Sequence, residues 1–370
     1  IMFGVSQTVH KGGIITLECY SEDTEILTSR GWVLFPNLEE KDKILTKNPT
    51  TNIAYYTLPL KIQKYFYSGK LCHLKGKALD LLVTPNHNLW LRSNWGKRWQ
   101  FKTVNNLPAR CSVTFESSMN WVGQDIHYFT IPSYKDEYHK RYMPPINIPM
   151  DIWVQYLGYF LSEGWTEREY TAFIGQDVKS PYCSDIKYIA QEIAKCFNKD
   201  LLEYKNKDCL WFGIGDTRLV RYLRQYTKPK RLPDNIKLLN KQYLSLFLKR
   251  FKEGDGDRDR NRLTNTSIQL LDDLQDICLK LGFKTNLHSP SNRAGTLSYS
   301  FNTHIDFRQS RNPIEEIDYD GYVYCVSVPD HLVMVRRNGK AVWCGNSTPN
   351  GRGGYFYDQY MAAKIGESSY

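Results

Sequence analysis

Apolar and polar positions divide the chain into stretches with different periods. Over residues 19–110, short apolar runs are separated by turn-forming residues, as at 29–31 and 84–86. This is the pattern of many short β-strands. The same pattern returns over residues 318–343. Residues 118–149 contain four prolines and no clear period, which predicts an irregular linker.

The middle of the chain has helical periods instead. Asp151 can cap a helix from Ile152 to Glu163 that is apolar on nearly every face and is therefore expected to be buried. Strands and further helices follow, and a second such helix begins near Lys241. The glycines that close the two helices, Gly164 and Gly256, are 92 positions apart. This repeated order predicts an internal duplication, so the predicted fold class is an all-β domain interrupted by an α+β pair of repeats.

Charge and cysteine usage narrow the class of protein. A net charge of +10 and a pI near 9.0 favour a polyanionic partner such as nucleic acid, although charge for solubility alone gives the same balance. No apolar run is long enough to cross a bilayer, and the start lacks a signal-peptide pattern. With no initiator Met, the chain is expected to be a fragment. The nine cysteines form no CxxC pair or zinc-ligand spacing, which predicts a reducing cytoplasm.

Two distant positions carry residues that can break the chain at their own peptide bonds. The thiol of Cys19 can attack the preceding carbonyl of Glu18. The side-chain amide nitrogen of Asn346 can attack its own backbone carbonyl and release whatever follows, and the next residue, Ser347, is a nucleophile.

The segments outside these two positions look like one interrupted element. When residues 19–346 are removed, the apolar run 13–18 continues into a Pro-Asn-Gly turn at 349–351. The sequence therefore predicts a protein that excises its own middle.

Four sequence blocks, in order, resemble those of inteins, the self-splicing elements of the Hint fold. They lie at residues 19–32, 82–87, 321–331 and 342–347. The resemblance implies an all-β, horseshoe-like domain with internal two-fold symmetry, assembled from both ends of the chain, that needs no cofactor for splicing.

The resemblance also implies a role for each reactive residue. Cys19 would form a thioester with Glu18, aided by His87 as a general acid near neutral pH and by Thr84 as a donor to the scissile peptide. Ser347 would then take over the upstream segment as an ester, and an acyl shift from oxygen to nitrogen would complete the splice.

The remaining block residues act at the middle and final steps. Asn346 would cyclise with His331 as acid or base, and Cys325 would assist the middle steps, at a position where many inteins have Asp. Cys344 is expected to be a packing residue.

Two positions depart from the family pattern. Gly345 stands where the family usually has His, which makes Asn cyclisation dependent on His331 or water and predicts that Gly345→His speeds it if space allows. Glu18 places a carboxylate beside the reactive thiol, which would raise the thiol pKa.

The two buried helices resemble the paired motifs of LAGLIDADG homing endonucleases, and residues 150–310 follow that family's order of elements. Glu163 and Asp255 match the acidic positions that would hold Mg²⁺ for cleavage of double-stranded DNA. In the second motif Arg250 replaces the usual interfacial glycine and Lys252 an apolar residue, and the acidic position could shift to Glu253. Basic candidates for contacting DNA are Lys228, Lys230 and Lys284.

The flanks resemble part of the ATPase of phage terminase large subunits, which implies a host protein in the cytoplasm of a phage-infected or prophage-carrying cell. The chain is expected to act as a monomer and away from the membrane. Two alternatives stay open: a Hint domain that cleaves without ligating, and an endonuclease domain that has decayed to DNA binding alone. The predicted order is a host flank at 1–18, the splicing domain at 19–117 and 313–346, a linker at 118–149, an endonuclease domain at 150–312, and a second host flank at 347–370.

Overall fold

The computed structural model describes residues 7–10, 13–94, 96, 98–136, 140–257, 260–289 and 294–346. The chain is mostly β, with 44% strand and 23% helix, as the periods predict. Within the described residues, no helix is long and apolar enough to cross a bilayer. Contacts divide the chain into two units, the first formed from both ends up to Ser117 and from His304, and the second from Ser118–Thr303.

The N-terminal part consists of strands and two 3-10 turns. The turns lie at Phe35–Asn37 and Val104–Asn106. The strands, in chain order, are β1 (Gln7–His10), β2 (Gly13–Thr16), β3 (Glu25–Thr28), β4 (Gly31–Leu34), β5 (Ile44–Lys47), β6 (Ile53–Thr57), β7 (Lys61–Lys75), β8 (Asp80–Val83), β9 (Asn88–Ser93), β10 (Gln100–Thr103) and β11 (Ser112–Glu116).

The second unit begins with strands where an irregular linker is predicted. They are β12 (Asn120–Trp121), β13 (Tyr128–Ile131), β14 (Tyr134–Asp136), β15 (Arg141–Met143) and β16 (Ile146–Pro149). β13 pairs with β16 and β14 with β15, so the described residues of 128–136 and 140–149 form two antiparallel pairs rather than irregular chain. The prolines sit at the ends and corners of these pairs, at 132, 144, 145 and 149, where missing N–H groups cost few ladder bonds.

The rest of the second unit alternates helices and strands. Its elements are α1 (Met150–Glu163), β17 (Gly164–Glu167), β18 (Thr171–Asp177), α2 (Cys183–Cys196), β19 (Leu202–Asn206), β20 (Cys209–Gly215), α3 (Thr217–Arg224), α4 (Asp234–Lys237), α5 (Lys241–Asp255), β21 (Arg262–Asn265), α6 (Ile268–Lys280), β22 (Lys284–His288) and β23 (Gly295–Ser300).

The duplication is visible in this order, but α3 has no counterpart after β23 among the described residues, and the strands after the first helix of each repeat differ. Two strands, β17 and β18, follow α1, whereas α5 is followed by an isolated bridge between Gly256 and Leu263 and by β21. Among these later strands, β17, β18, β20 and β19 are hydrogen-bonded in the order β17-β18-β20-β19, and the other three in the order β22-β23-β21.

The last described strands return to the first unit. They are β24 (His304–Arg308), β25 (Glu315–Ser327), β26 (Leu332–Arg337) and β27 (Lys340–Gly345). The sequence predicts that the inserted domain ends at residue 312 and therefore includes β24. In the structure, β24 pairs with β11 in the first unit.

Strands from the two ends of the chain pair throughout the first unit. β25 runs antiparallel to β7 from Glu315↔His73 to Ser327↔Lys61, and β26 lies between β3 and β27. The core is correspondingly shared, and fully buried apolar side chains such as Leu81 and Val335 belong to one cluster. The two distant reactive positions are therefore carried by one β scaffold.

Candidate functional sites

The segment that carries Cys19 is held between strands from both ends of the chain. The Tyr20 N–H donates to the Tyr324 carbonyl (2.8 Å), and the Tyr324 N–H donates to the Tyr20 carbonyl (2.9 Å). On the other side, the Ser21 N–H donates to the Leu82 carbonyl (3.0 Å). These backbone bonds fix the peptide before Cys19 relative to the ends of β8 and β25.

Thr84 forms hydrogen bonds around the peptide bond between Glu18 and Cys19. Its Oγ1 accepts from the Cys19 N–H (2.9 Å) and donates to the Leu17 carbonyl (2.7 Å), and its own N–H donates to the Cys19 carbonyl (3.0 Å). Thr84 therefore lies at the peptide to which the sequence assigns it. Its hydroxyl accepts from the scissile nitrogen, however, where the sequence predicts that it donates to the scissile peptide.

His87 is fully buried beside both reactive positions. Burial lowers its pKa to about 3, against the smaller opposing effects of the nearby carbonyls of Glu18 and Gly345. The Tyr20 ring packs edge-on against the imidazole, with centroids 4.3 Å apart. The imidazole is therefore neutral near neutral pH, and the prediction of a protonated general acid is wrong in this respect.

Four thiols lie in this core, those of Cys19, Cys72, Cys325 and Cys344, and Cys19 and Cys325 neighbour each other. Burial raises the pKa of Cys19 well above its usual range, and neighbouring Cys325 and Glu18 raise it further. Cys325 is fully buried. Cys344, expected to be a packing residue, has its Sγ 3.4 Å from Nε2 of His87.

The side chain before the reactive thiol is also half-buried. Burial raises the pKa of Glu18 to about 7, and the hydrogen bond from Nδ2 of Asn88 to Oε2 (3.1 Å) offsets part of that rise. Asn88 follows His87 directly, and Tyr20 follows Cys19. Adjacency to motif residues is the one sequence signal that points to either of them.

Asn346 is 2% exposed and held at its backbone and its side chain. Its N–H donates to the His331 carbonyl (3.1 Å), and its Nδ2 donates to the Val328 carbonyl (3.4 Å). The Tyr20 hydroxyl donates to the Gly345 carbonyl, 325 positions away in sequence. His331 thus contacts Asn346 through its backbone carbonyl, and the acid or base role of its imidazole stays a prediction. Ser347 lies outside the described residues.

Gly345 occupies a position with no room for a side chain. A Cβ there would lie 2.4 Å from the Asn88 carbonyl oxygen and 2.9 Å from the Asn88 Cβ. An imidazole at this position would displace the start of β9. The condition of available space is not met, so Gly345→His is no longer expected to speed cyclisation.

A second candidate site lies where α1 and α5 pack in the second unit. Gly158 and Gly254 allow the close approach: a Cβ on Gly158 would lie 2.8 Å from the Phe247 carbonyl oxygen, and one on Gly254 would lie 2.2 Å from Oγ of Ser162. Each helix thus supplies one glycine to the contact.

Glu163 and Asp255 end these two helices and lie near each other. Burial raises the pKa of Glu163, the charge of Asp255 raises it further, and Lys230 lowers it. Burial likewise raises the pKa of Asp255, against a hydrogen bond from Asn265 (2.8 Å) and the charge of Lys230. Of the three lysine candidates, Lys230 lies beside both carboxylates. Lys284 begins β22, and Lys228 precedes a cis proline.

Arg250 does not push α1 and α5 apart, because its side chain forms hydrogen bonds within a polar network. It donates to Gln155 (2.9 Å), Tyr159 (3.1 Å), Asp185 (2.7 Å) and Glu253 (2.9 Å). Burial alone would lower the pKa of Arg250, but the hydrogen bonds to Glu253 and Asp185 raise it above its usual range. Glu253 is occupied in this network, so Asp255 is the acid that faces Glu163.

The two carboxylates suit a hard divalent cation. Mg²⁺ takes oxygen ligands, keeps several waters and needs only one or two carboxylates from a protein. Burial and then the charge of Asp255 raise the pKa of Glu163, and a bound cation would offset both effects. No group of three or more His, Cys, Asp or Glu side chains suited to a metal occurs in the described part of the chain.

Comparison with known sequences gives two relatives and no matching family model. The chain is 24% identical to a DNA-directed RNA polymerase subunit beta C-terminal section from Stigeoclonium helveticum, over 90% of this chain and 37% of that protein. It is 23% identical to an ATP-dependent Clp protease proteolytic subunit from Chlamydomonas moewusii, over 76% of this chain and 30% of that protein. The chain thus spans about a third of each relative.

Similar solved structures fall into two groups. A mesophilic variant of the homing endonuclease I-DmoI shares 18% identity, covering 41% of this chain and 89% of that one, with a TM-score of 0.35. I-DmoI in complex with DNA and Mn gives a TM-score of 0.34 at 18% identity, over 41% and 90% of the two chains. A splice-inactive AceL NrdHF class 3 split intein shares 9% identity over 90% and 99%, with a TM-score of 0.34. Overlaps this low carry no functional inference.

Proposed function

We propose that this chain is a self-splicing protein of the Hint fold, interrupted by a LAGLIDADG-type DNA endonuclease domain. The observation that carries the proposal is the meeting of both reactive positions around His87. The carbonyls of Glu18 and Gly345 lie beside one imidazole, and the Tyr20 hydroxyl bonds the peptide before Asn346. A purely structural core does not require a nucleophile at one such position and a cyclising amide at the other.

The first step is a shift of the upstream segment from nitrogen to sulfur. A bond forms between Sγ of Cys19 and the Glu18 carbonyl carbon, the bond from that carbon to the Cys19 nitrogen breaks, and the thiol proton ends on the leaving amine. Neutral His87 assists as a hydrogen-bond donor to the Glu18 carbonyl, where negative charge develops. Thr84 holds the scissile nitrogen by accepting its N–H.

The later steps join the flanks and free the middle. The Ser347 hydroxyl attacks the thioester and returns the proton to Cys19, leaving the upstream segment as an ester. Nδ2 of Asn346 then attacks the Asn346 carbonyl, which breaks the bond to Ser347 and closes a succinimide. The freed Ser347 amine takes the acyl group from its own oxygen, and an ordinary peptide bond results.

Splicing can be tested on variants blocked at each junction. Asn346→Ala should stop release of the downstream flank while the Glu18–Cys19 bond still opens to added thiol. Cys19→Ala should abolish ligation and leave cleavage after Asn346. Ligated flanks from Asn346→Ala would contradict the proposed chemistry, and cleavage products without any ligated product from the unaltered chain would favour the non-ligating Hint alternative.

In the second unit, Glu163 and Asp255 would hold Mg²⁺, and double-stranded DNA would be the substrate. When bound, the cation supplies the Lewis acidity for phosphodiester hydrolysis. The close packing at Gly158 and Gly254 and the diversion of Arg250 into a side network favour an intact site over a decayed, DNA-binding-only one.

The two sequence relatives support an insertion of this kind. One is described as an RNA polymerase subunit and the other as a protease subunit, yet each matches most of this chain. Neither activity accounts for a stretch common to both, whereas an element that resides in different hosts does. The host here remains a proposal: neither relative is a phage terminase large subunit, and the downstream flank lies outside the described residues. A monomer acting in the cytoplasm is part of the same proposal.

A further inference from the structure

The Cys344 thiol lies against one nitrogen of the His87 ring. Sγ is 3.4 Å from Nε2, and both side chains are fully buried. The Asn88 carbonyl lies farther from Sγ, at 3.7 Å, and the Tyr20 hydroxyl also hydrogen-bonds this thiol. The contact with Nε2 is shorter than the contact with the Asn88 carbonyl.

The other ring nitrogen of His87 makes no such contact with the described residues. Nδ1 of His87 is buried and has no hydrogen-bond partner within normal limits in the part of the chain that the structure describes. The Glu18 carbonyl lies beside the same ring. A neutral imidazole carries a single N–H, and the hydrogen bond made by one nitrogen decides which nitrogen holds the proton.

We propose that Cys344 is a positioning residue for splicing: its S–H donates to Nε2 of His87 and thereby keeps the ring proton on Nδ1, directed at the Glu18–Cys19 junction. The inference rests on the proposed splicing function. With the opposite tautomer, Nδ1 would present a lone pair to the Glu18 carbonyl oxygen, and the two would repel each other.

The Cys344 thiol can keep donating a hydrogen bond to His87 because it stays protonated near neutral pH. Burial raises the pKa of Cys344 to about 12, against smaller effects of Tyr20 and neighbouring backbone groups. The S–H is thus present throughout the range in which the upstream step is expected to run, and the ring tautomer does not depend on pH.

The test isolates the upstream step in a chain that carries Asn346→Ala. Cys344→Ala, Cys344→Ser and the control Cys72→Ala are compared in this background. Cys72 is a buried thiol of the same unit, 5% exposed. Two readouts are used: the rate at which added thiol cleaves after Glu18, and the ring ¹⁵N shifts of His87, assigned among the eight histidines by His87→Gln.

Cys344→Ala is expected to slow thiol cleavage by about tenfold to a hundredfold, the range for outer partners that orient a functional imidazole, and to move the ring proton toward Nε2. Cys344→Ser, whose hydroxyl also donates, should keep the rate and the Nδ1–H tautomer, as should Cys72→Ala.

Either of two results would overturn the role of Cys344. One is wild-type cleavage and an unchanged Nδ1–H tautomer in Cys344→Ala; the other is a folded Cys344→Ser chain with its proton on Nε2. If no chain, including the unaltered one, cleaves after Glu18, the splicing proposal fails by itself. The ¹⁵N shifts then still decide whether Cys344 sets the tautomer.

Discussion

At the residue scale, burial governs the chemistry of the upstream junction. It favours the thiol form of Cys19 and the neutral ring of His87, so the charged form of each is scarce near neutral pH. The sequence blocks predict that Cys19, His87 and Asn346 act together, and in the structure the Glu18 and Gly345 carbonyls lie beside the His87 ring. The blocks do not reveal that Tyr20 bonds Gly345 or that Cys344 contacts His87, because these contacts join positions more than 250 residues apart.

Glu18 is expected to make the upstream step respond to pH. Its pKa in the folded chain, about 7, is above that of a free carboxyl, so the folded state favours the protonated form. Protonated Glu18 therefore contributes to the free energy of unfolding at low pH, and this contribution is lost as pH rises toward 7. Above that pH, the Glu18 carboxylate opposes thiolate formation at Cys19. Glu18→Gln in the Asn346→Ala background should speed thiol cleavage by about threefold to tenfold at pH 8, with little change at pH 6.

Replacing Glu40, an exposed carboxylate, by Gln serves as the control and should leave the profile unchanged. Superimposable pH profiles for Glu18→Gln and its parent would exclude the carboxylate as the source of pH dependence.

Gly345 is expected not to tolerate even a methyl group. In Gly345→Ala the added Cβ meets the backbone of Asn88, which cannot rotate away, so overpacking should cost about 1–3 kcal/mol. The measurement is the unfolding midpoint of a chain blocked by Cys19→Ala and Asn346→Ala. Gly76→Ala is the matched control, since its Cβ would meet side-chain atoms no closer than 3.8 Å. Equal midpoints for the two variants would show that β9 shifts to make room for the methyl group at little cost in stability.

At the scale of elements, the long amphipathic and buried segments are predictable and the paired strands β13 to β16 are not. α1 and α5 lie where the helical periods indicate, because an apolar run ended by a glycine leaves few alternatives. These strands form despite the prolines around them, because each ladder is only three or four residues long and the prolines fall outside or at its ends. The alternation of β24 also fits the strands before it, so the sequence predicts that β24 belongs to the inserted domain. In the structure it pairs with β11 in the first unit.

The contact between α1 and α5 is expected to depend on Gly254. In Gly254→Ala the added Cβ would lie 2.2 Å from Oγ of Ser162 and 3.1 Å from Cγ of Glu163. The helices must separate, which should lower the stability of this unit by about 1–3 kcal/mol and move Glu163 away from Asp255. Hydrogen exchange of the α1 amides measures the first effect.

Gly215→Ala, where a Cβ has nothing within 4 Å, is the control in the same unit. Unaltered exchange in Gly254→Ala would mean that the helices are not closely packed at this point.

At the scale of the whole molecule, the second unit is inserted between two strands that pair with each other. β11 and β24 run antiparallel with Glu116 opposite His304, so the chain leaves and re-enters the first unit at neighbouring positions. An insertion with adjacent ends disturbs its host fold little. The first unit can therefore fold around the insertion, and the four sequence blocks and the duplication predict this division of the chain from the sequence.

The endonuclease is expected to cut a gene that lacks the insertion and to spare one that carries it. The predicted target is duplex DNA that encodes residues 14–18 followed directly by residues 347–351, because the insertion itself divides that site. In Mg²⁺ the protein should cut this junction, and Glu163→Gln or Asp255→Asn should each abolish cutting through lost metal binding. Binding should weaken steeply with salt, as expected for a chain of net charge +10.

Glu253→Gln is the matched control, since Glu253 is held by Arg250 away from the pair, and it should retain cutting. Equal cutting of the junction and of the interrupted gene would contradict homing. Tight binding to the junction without cutting would favour the decayed alternative.

The most direct test of the account is the intact mass of the freshly expressed chain. Splicing of these 370 residues should convert the full-length mass into a 42-residue product, residues 1–18 joined to 347–370, and a 328-residue product ending in a succinimide or its hydrolysed form. A chain with both Cys19→Ala and Asn346→Ala should keep its full mass under the same conditions. Persistence of the full mass in the unaltered chain, or separate flanks with no joined product, would contradict the central claim that this protein splices itself.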